Sequence, residues 1–229
     1  MAPDRGGTLH AAPTTEFAMH LHAQPASLHG WRLFSVLSVS VLIITALALM
    51  AQSPLVEALR SAIRVTARTS FLLFLATFLA SSLATLVPSA FTRGLLRERR
   101  FLGLAFAFSH AVHAVLIIVY ANSFPDTFWQ GRTAVTNIPG SVGYFFIILL
   151  TLTSFPAAVR LLGARTWKAL HSTGTWVIAG VFVLSFYKRI PMGSWYPLAF
   201  ALIFSAIVFK LTAKLATHLR RSARTEVRA

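Results

Sequence analysis

Three histidines stand in stretches otherwise suited to hydrocarbon. The run Phe101–Tyr120, FLGLAFAFSHAVHAVLIIVY, has no charged residue and carries His110 and His113. His171 opens a second charge-free run, HSTGTWVIAGVFVLSFY, which ends at Tyr187. Ionisable side chains at membrane depth are costly and mark functional sites. A neutral imidazole offers one nitrogen lone pair and is the common nitrogen ligand of iron. Two imidazoles from facing helices, one on each face of the ring, can hold a b-type haem inside a bundle. The same side chains can also act as hydrogen-bonded polar residues between helices. Residue type alone leaves both roles open.

The elements that must position these side chains follow from composition. The chain is 56% hydrophobic and only 12% charged, about half the charge of an ordinary soluble domain. The apolar residues are gathered into runs, which predicts an all-α polytopic membrane protein. Six stretches reach the ~20 residues needed to cross the hydrocarbon core. They are Leu33–Ala51, Thr69–Phe91, Phe101–Tyr120, Ile138–Ala158, Ala169–Tyr187 and Trp195–Leu215. Ser53–Val65 reads instead as a short amphipathic helix on the outer surface, because Leu55, Leu59 and Ile63 share one face. Residues 1–30, rich in Ala, Pro, Gly and His, read as a disordered tail that holds His10, His20, His22 and His29. Residues 31–217 form the bundle, and 218–229 a basic cytoplasmic tail. The polar lead before Leu33 lacks the pattern of a signal peptide.

Charge orients the bundle. The net charge is +15, but the basic residues lie between apolar runs and in the tails, which argues against a nucleic-acid partner. With both termini on one side, that side holds fifteen Lys and Arg and the opposite side six. The positive-inside rule then makes both termini cytoplasmic in a six-span protein of the cell (inner) membrane, with lipid as its constant partner. The absence of cysteine excludes thiolate haem ligation, disulfides and cysteine-held iron–sulfur clusters. No Asp or Glu falls within a span, so no hydrolytic carboxylate pair exists there. The same lack, with no paired broken helices, disfavours a transporter.

Three strings resemble a known family. RRFLGLAFAFSHAVH, residues 99–113, is similar to the start of the third helix of the ferric reductase-like transmembrane domain family. TARTSFLLFLATFL, residues 66–79, resembles that family's second helix. TSFPAAVRLLGARTWKALH, residues 153–171, resembles its turn between helices four and five, with Gly163, Trp167 and Leu170-His171 at the family spacing. The likeness covers residues 66–190 and is nearest to the haem-binding membrane subunits that serve periplasmic methionine sulfoxide reductase. It implies a six-helix bundle carrying one or two b haems between helices three and five. His113 then corresponds to the third-helix iron ligand and His171 to the first ligand of helix five. His110 has no counterpart and is a neighbour or a substitute. Arg68, within the TARTSF string, suits a haem propionate, as do Arg100 and Lys168 at an inner site. Each of the three also fits an interfacial role. Members with a well-formed outer haem carry a further histidine about 13 residues after the first in helix five; here that position is Leu184.

Depth complicates the pairing. His113 lies ~20 Å along its helix from Arg100, and His171 ~5 Å from Lys168, at 1.5 Å per residue. The ~15 Å offset falls only to ~10 Å with His110, which is large for two ligands of one ring. Three arrangements remain open. An inner haem can sit on His171 with His29 or His218 as partner. An outer haem can sit on His113 or His110, with Met192 as a further donor. Or the fold persists without haem.

The expected function is transmembrane electron transfer through b-type haem, from a cytoplasmic or membrane donor to an outer-face acceptor. The alternative is a haem-free six-helix protein with an assembly or scaffold role. No glycine-rich dinucleotide fingerprint occurs. An oxidoreductase subunit of this kind would therefore draw electrons from a separate reductase, a bound flavin or a quinol, and pass them to a periplasmic oxidoreductase.

Overall fold

Local sequence rules set the helix boundaries. The computed structural model describes residues 28–130 and 133–226. Helix α1, Trp31–Met50, begins after Gly30, whose φ of 61° suits a residue without Cβ. Pro54 precedes α2, Leu55–Leu86, and Glu57 lies in its first turn, where a negative charge complements the helix dipole. Pro88 stops α2. Ser89 then caps α3, Ala90–Arg97, in a reciprocal box with Thr92. Helix α4, Arg99–Ser123, carries the first histidine run and leads into the short α5, Pro125–Trp129. Helix α6, Ala134–Leu152, α7, Pro156–Leu162, and α8, Ala164–Tyr187, follow. A 3₁₀ turn, Ile190–Met192, precedes α9, Tyr196–Glu226.

Among the described residues the fold is all helical. Helices α1, α2, α4, α8 and α9 are each long and apolar enough to cross a membrane. Helices α6 and α7 qualify only together, and they meet at 98°. The candidate spans therefore number five, or six if the bent pair is one. Val39, Leu42, Ile43 and Leu47 of α1 stay exposed, as side chains facing lipid tails do. Helix α2 is the centre of the bundle, touching α1, α4 and α9, while α8 packs between α6 and α9. The core is aromatic: Phe71, Phe74 and Phe78 of α2 meet Phe106 of α4 and Phe182 and Phe186 of α8.

Three sequence expectations change. The amphipathic segment at 53–65 is not a separate surface helix. It is the first third of α2, whose 32 residues extend ~48 Å, well beyond the ~30 Å hydrocarbon core. Leu59 and Ala62 are buried there against Leu116, Tyr120 and Phe128, and Arg60 Nε donates to Tyr120 Oη at 2.9 Å. The apolar face is covered by protein because no helix breaker separates it from the span. The second span ends at Leu86 rather than Phe91, owing to Pro88 and the Ser89 cap. The fourth ends at Leu152 rather than Ala158. Pro156 lacks an amide donor and forces Phe155 into an extended conformation, φ −100° and ψ 150°. His10, His20, His22 and Arg132 lie outside the described residues. His29 and Gly30 are fastened to the bundle. The Gly30 amide donates to Glu98 Oε2 at 2.8 Å, and His29 Nδ1 lies 3.2 Å from Oε1. The Gly30 amide, with help from Arg97 and His29, holds the Glu98 carboxyl below the usual carboxylate range despite an opposing push from burial.

Candidate haem site

A cavity of about 840 Å³ opens among α2, α4, α6, α7 and α8. It is large enough for a sizeable organic ligand. Its walls divide by chemistry. Phe74, Phe106, Ile147, Leu150 and Ile178 supply an apolar interior. Arg97, Arg99 and Arg100 at the α3–α4 junction, Arg160 of α7 and Lys168 of α8 supply a ring of cations. We call this the basic end of the bundle. The ring forms because the chain turns twice there, once at Pro88–Ser89 and once at Pro156, and each turn places basic residues beside the start of the next helix. Gly103 and Ala107 keep the α4 wall low. Gly174 does a different job: a Cβ there would come within 3.0 Å of Leu150 and Phe146, so it allows α6 and α8 to approach.

His171 lines this cavity. Thr153 holds it from the α6–α7 bend. The Thr153 hydroxyl donates to the Leu149 carbonyl at 2.7 Å, so its oxygen is left to accept from His171 Nε2–H at 3.0 Å. With the threonine proton so placed, the ring carries its own proton on Nε2. Coordination of a metal through Nε2 requires the ring to leave Thr153. Trp167, one turn earlier, lies over the imidazole at 4.3 Å between centroids, and its indole N–H donates to the Thr153 carbonyl at 2.7 Å. One threonine thus fixes both rings.

His110 and His113 stand elsewhere. The cavity walls include neither of them. Thr66 donates its hydroxyl proton to the Ala62 carbonyl at 2.8 Å and accepts from His113 Nδ1–H at 3.0 Å. With Nδ1 so engaged, Nε2 is the ring nitrogen that a metal would meet, as in a histidine oriented by a neighbouring polar group. The His110 ring lies 5.4 Å from that of His113 and 5.2 Å from that of Tyr144. Among the described residues, His110 Nδ1 and Tyr144 Oη are both buried without a hydrogen-bond partner. Phe106 and Phe182 pack on His110, so aromatic side chains occupy much of the space around this pair.

The remaining sequence candidates are dispersed. The Arg68 guanidinium lies over the Trp195 ring at 6.0 Å, away from the cavity. Leu184 is half exposed on the outside of α8, and Met192 is exposed in the 3₁₀ turn. His29 is engaged with Glu98 and Arg97. His218 lines a separate cavity of about 320 Å³ with Ser81, Ser82, Thr85, Lys214 and Thr217. Among the described residues, no group of three or more His, Cys, Asp or Glu forms a metal cluster. Sequence reasoning missed Thr66, Thr153, Tyr144, Arg99 and Arg160 as site residues. Thr66 and Thr153 lie at the edges of the resembling strings, which was the one available signal for them.

The residues around the large cavity fit a haem in three respects. Size and apolar walls suit a macrocycle, an imidazole projects from one wall, and the rim is cationic where carboxylates would lie. Among the described residues Arg100 Nε is buried there without a hydrogen-bond partner, an orphan donor that an anionic ligand would satisfy. The helical bundle with this cavity defines a polytopic membrane protein with a pocket of haem size among its helices. Residues 66–182 match the family of the ferric reductase like transmembrane component, and the chain belongs to that family. The matched segment carries His110, His113 and His171. The chain is also 30% identical over 122 residues to the protein-methionine-sulfoxide reductase heme-binding subunit MsrQ of Azospira oryzae. That alignment covers 50% of this chain and 50% of the relative, so the chain spans about half the length of the curated relative it matches. No solved structure matches.

Proposed function

We propose that this protein is a haem-carrying subunit for transmembrane electron transfer, with its haem in the basic-end cavity. The observation that carries the reading is the union of His171, apolar walls and a cationic rim in one 840 Å³ space. A b-type haem bound there would supply one-electron chemistry at its iron. His171 would hold the iron, giving up its contact with Thr153. Arg99, Arg100 and Lys168 would hold the propionates, with Arg100 Nε gaining its missing acceptor. Phe74, Phe106 and Ile147 would exclude water from the ring and favour the less charged reduced iron. The cytoplasm lies on the basic side in this reading, and the membrane is the inner membrane. A separate reductase, a bound flavin or a quinol delivers electrons there. By analogy with the heme-binding subunit relative, a periplasmic oxidoreductase receives them on the far side. His113, oriented by Thr66, marks a second, far-end position for iron, with His110 beside it.

A second reading, a haem-free bundle with a scaffold role, draws on a specific observation. Both His113 and His171 already have threonine partners, as polar residues inside a bundle do. The dithionite-reduced optical spectrum of protein expressed with ample haem separates the two. The first reading expects b-type bands, loss of most of them in His171→Ala, and a smaller loss in His113→Ala. A wild-type protein without such bands would leave the scaffold reading standing.

A further inference from the structure

Lys210 is buried within the bundle, only 8% exposed, on the transmembrane helix α9. A lysine so placed is expensive unless its charge is used. Its Nζ donates to the Phe78 main-chain carbonyl at 2.6 Å and lies 4.5 Å from the centroid of the Phe78 ring. The geometry is that of a charge-assisted hydrogen bond with a cation–π contact beside it. The preceding carbonyl of α2, that of Thr77, accepts from Arg99 Nε at 3.1 Å. Two cations from two different helices therefore share adjacent carbonyls of α2. Lys214, one turn further along α9, lies over the Trp176 ring at 5.0 Å. Among the described residues no carboxylate pairs with Lys210, Lys214 or Arg99.

This uncompensated positive charge stands directly behind the large cavity. Thr77, Arg99 and Phe74 are cavity walls, and the Phe78 ring that Lys210 covers stacks on Phe74 at 5.3 Å. Lys210 itself does not line the cavity. It acts on an occupant only through its field, across a low-dielectric layer of aromatic rings where charge carries further than in water. We infer that Lys210 is a tuning residue: its buried charge raises the reduction potential of the haem in the cavity beside it. Reduction adds one electron to the iron, and a nearby fixed cation stabilises the product of that addition. The inference rests on the haem reading above. An effect on the order of tenfold in the reduced-to-oxidised ratio is expected for a unit charge at about 10 Å in an effective dielectric of about 20. For one electron this is about 59 mV.

The experiment is a spectroelectrochemical titration of the full-length haem-loaded protein and its Lys210→Met, Lys210→Gln and Lys210→Arg variants. Thermal unfolding of each is followed in parallel. Met and Gln should lower the midpoint potential by about the tenfold equivalent, while Arg should keep it near the wild-type value. Gln retains a donor for the Phe78 carbonyl, so it separates charge from helix bracing. Unchanged potentials in Met and Gln proteins that keep their haem would overturn the inference and leave Lys210 a brace between α9 and α2. Loss of haem from both, with Arg unaffected, would also count against it, since the charge would then serve assembly rather than potential. A wild-type protein with no haem bands would instead remove the haem reading itself, and the spectrum shows that before any variant is made.

Discussion

At the residue scale, the site is built from pairs in which a threonine sets a histidine. Thr66 and Thr153 each send their hydroxyl proton back to their own helix and offer an oxygen to an imidazole N–H. The histidines were legible in the sequence because a titratable group in a charge-free run is conspicuous. Their partners were not, because a threonine inside an apolar helix reads as a mere filler whose hydroxyl bonds the preceding turn. Nothing in spacing alone shows that the oxygen's second bond reaches another helix. The role of Thr66 is testable. Thr66→Val keeps shape and removes the hydroxyl, which leaves the His113 ring only its backbone contact to Ile63. The expected cost is about 0.5–1.5 kcal/mol, the net worth of one hydrogen bond, read as an earlier unfolding transition in detergent. His113→Phe combined with Thr66→Val should cost less than the sum of the two single changes, since each removes the same bond. Additive costs would show that the contact contributes nothing.

At the element scale, the sequence located the membrane runs but misjudged where they stop. Hydropathy averages over a window, whereas a helix ends at a particular proline or cap. Pro88 with Ser89 and Pro156 with Phe155 made the two turns that gather arginines around the cavity, so the misplaced boundaries were also the ones that build the site. The opposite error occurred at 53–65, where the shared face of Leu55, Leu59 and Ile63 suggested a separate surface helix and the backbone continues as one helix. Glycines show how element packing divides structural from incidental positions. A Cβ at Gly174 would meet Leu150 and Phe146 at 3.0 Å, while one at Gly180 meets nothing within 4 Å. Gly174→Val should therefore push α6 from α8 and destabilise by about 1–3 kcal/mol. Gly180→Ala should be neutral or stabilise by up to about 1 kcal/mol through helix propensity. Thermal unfolding of the two variants side by side checks the contrast, and equal effects would refute the assigned packing role.

At the scale of the whole molecule, the arrangement of charge gives the bundle a direction. The cavity rim, with Arg97, Arg99, Arg100, Arg160 and Lys168, lies at the end where α3 and α7 turn. The other end carries fewer basic residues, and there Arg60 bonds to both Tyr120 and Glu57. Short connections rich in Lys and Arg are retained in the cytoplasm, so the cavity should open inward, toward a cytoplasmic electron donor. An inverted bundle would turn the same cavity toward the periplasm and reverse the direction of transfer proposed above. The chain contains no cysteine, so a single introduced thiol reports orientation without background. Ser123 ends α4 at the far end, and Ser222 lies on α9 past the basic end; both are exposed. Ser123→Cys should react with a membrane-impermeant maleimide in intact spheroplasts. Ser222→Cys should react only after the membrane is permeabilised. The reverse pattern would place the basic rim outside and exclude a cytoplasmic donor for this cavity. Labelling of both thiols in intact spheroplasts would mean that α6 and α7 do not together complete a span, leaving five crossings and the two ends of the chain on opposite sides.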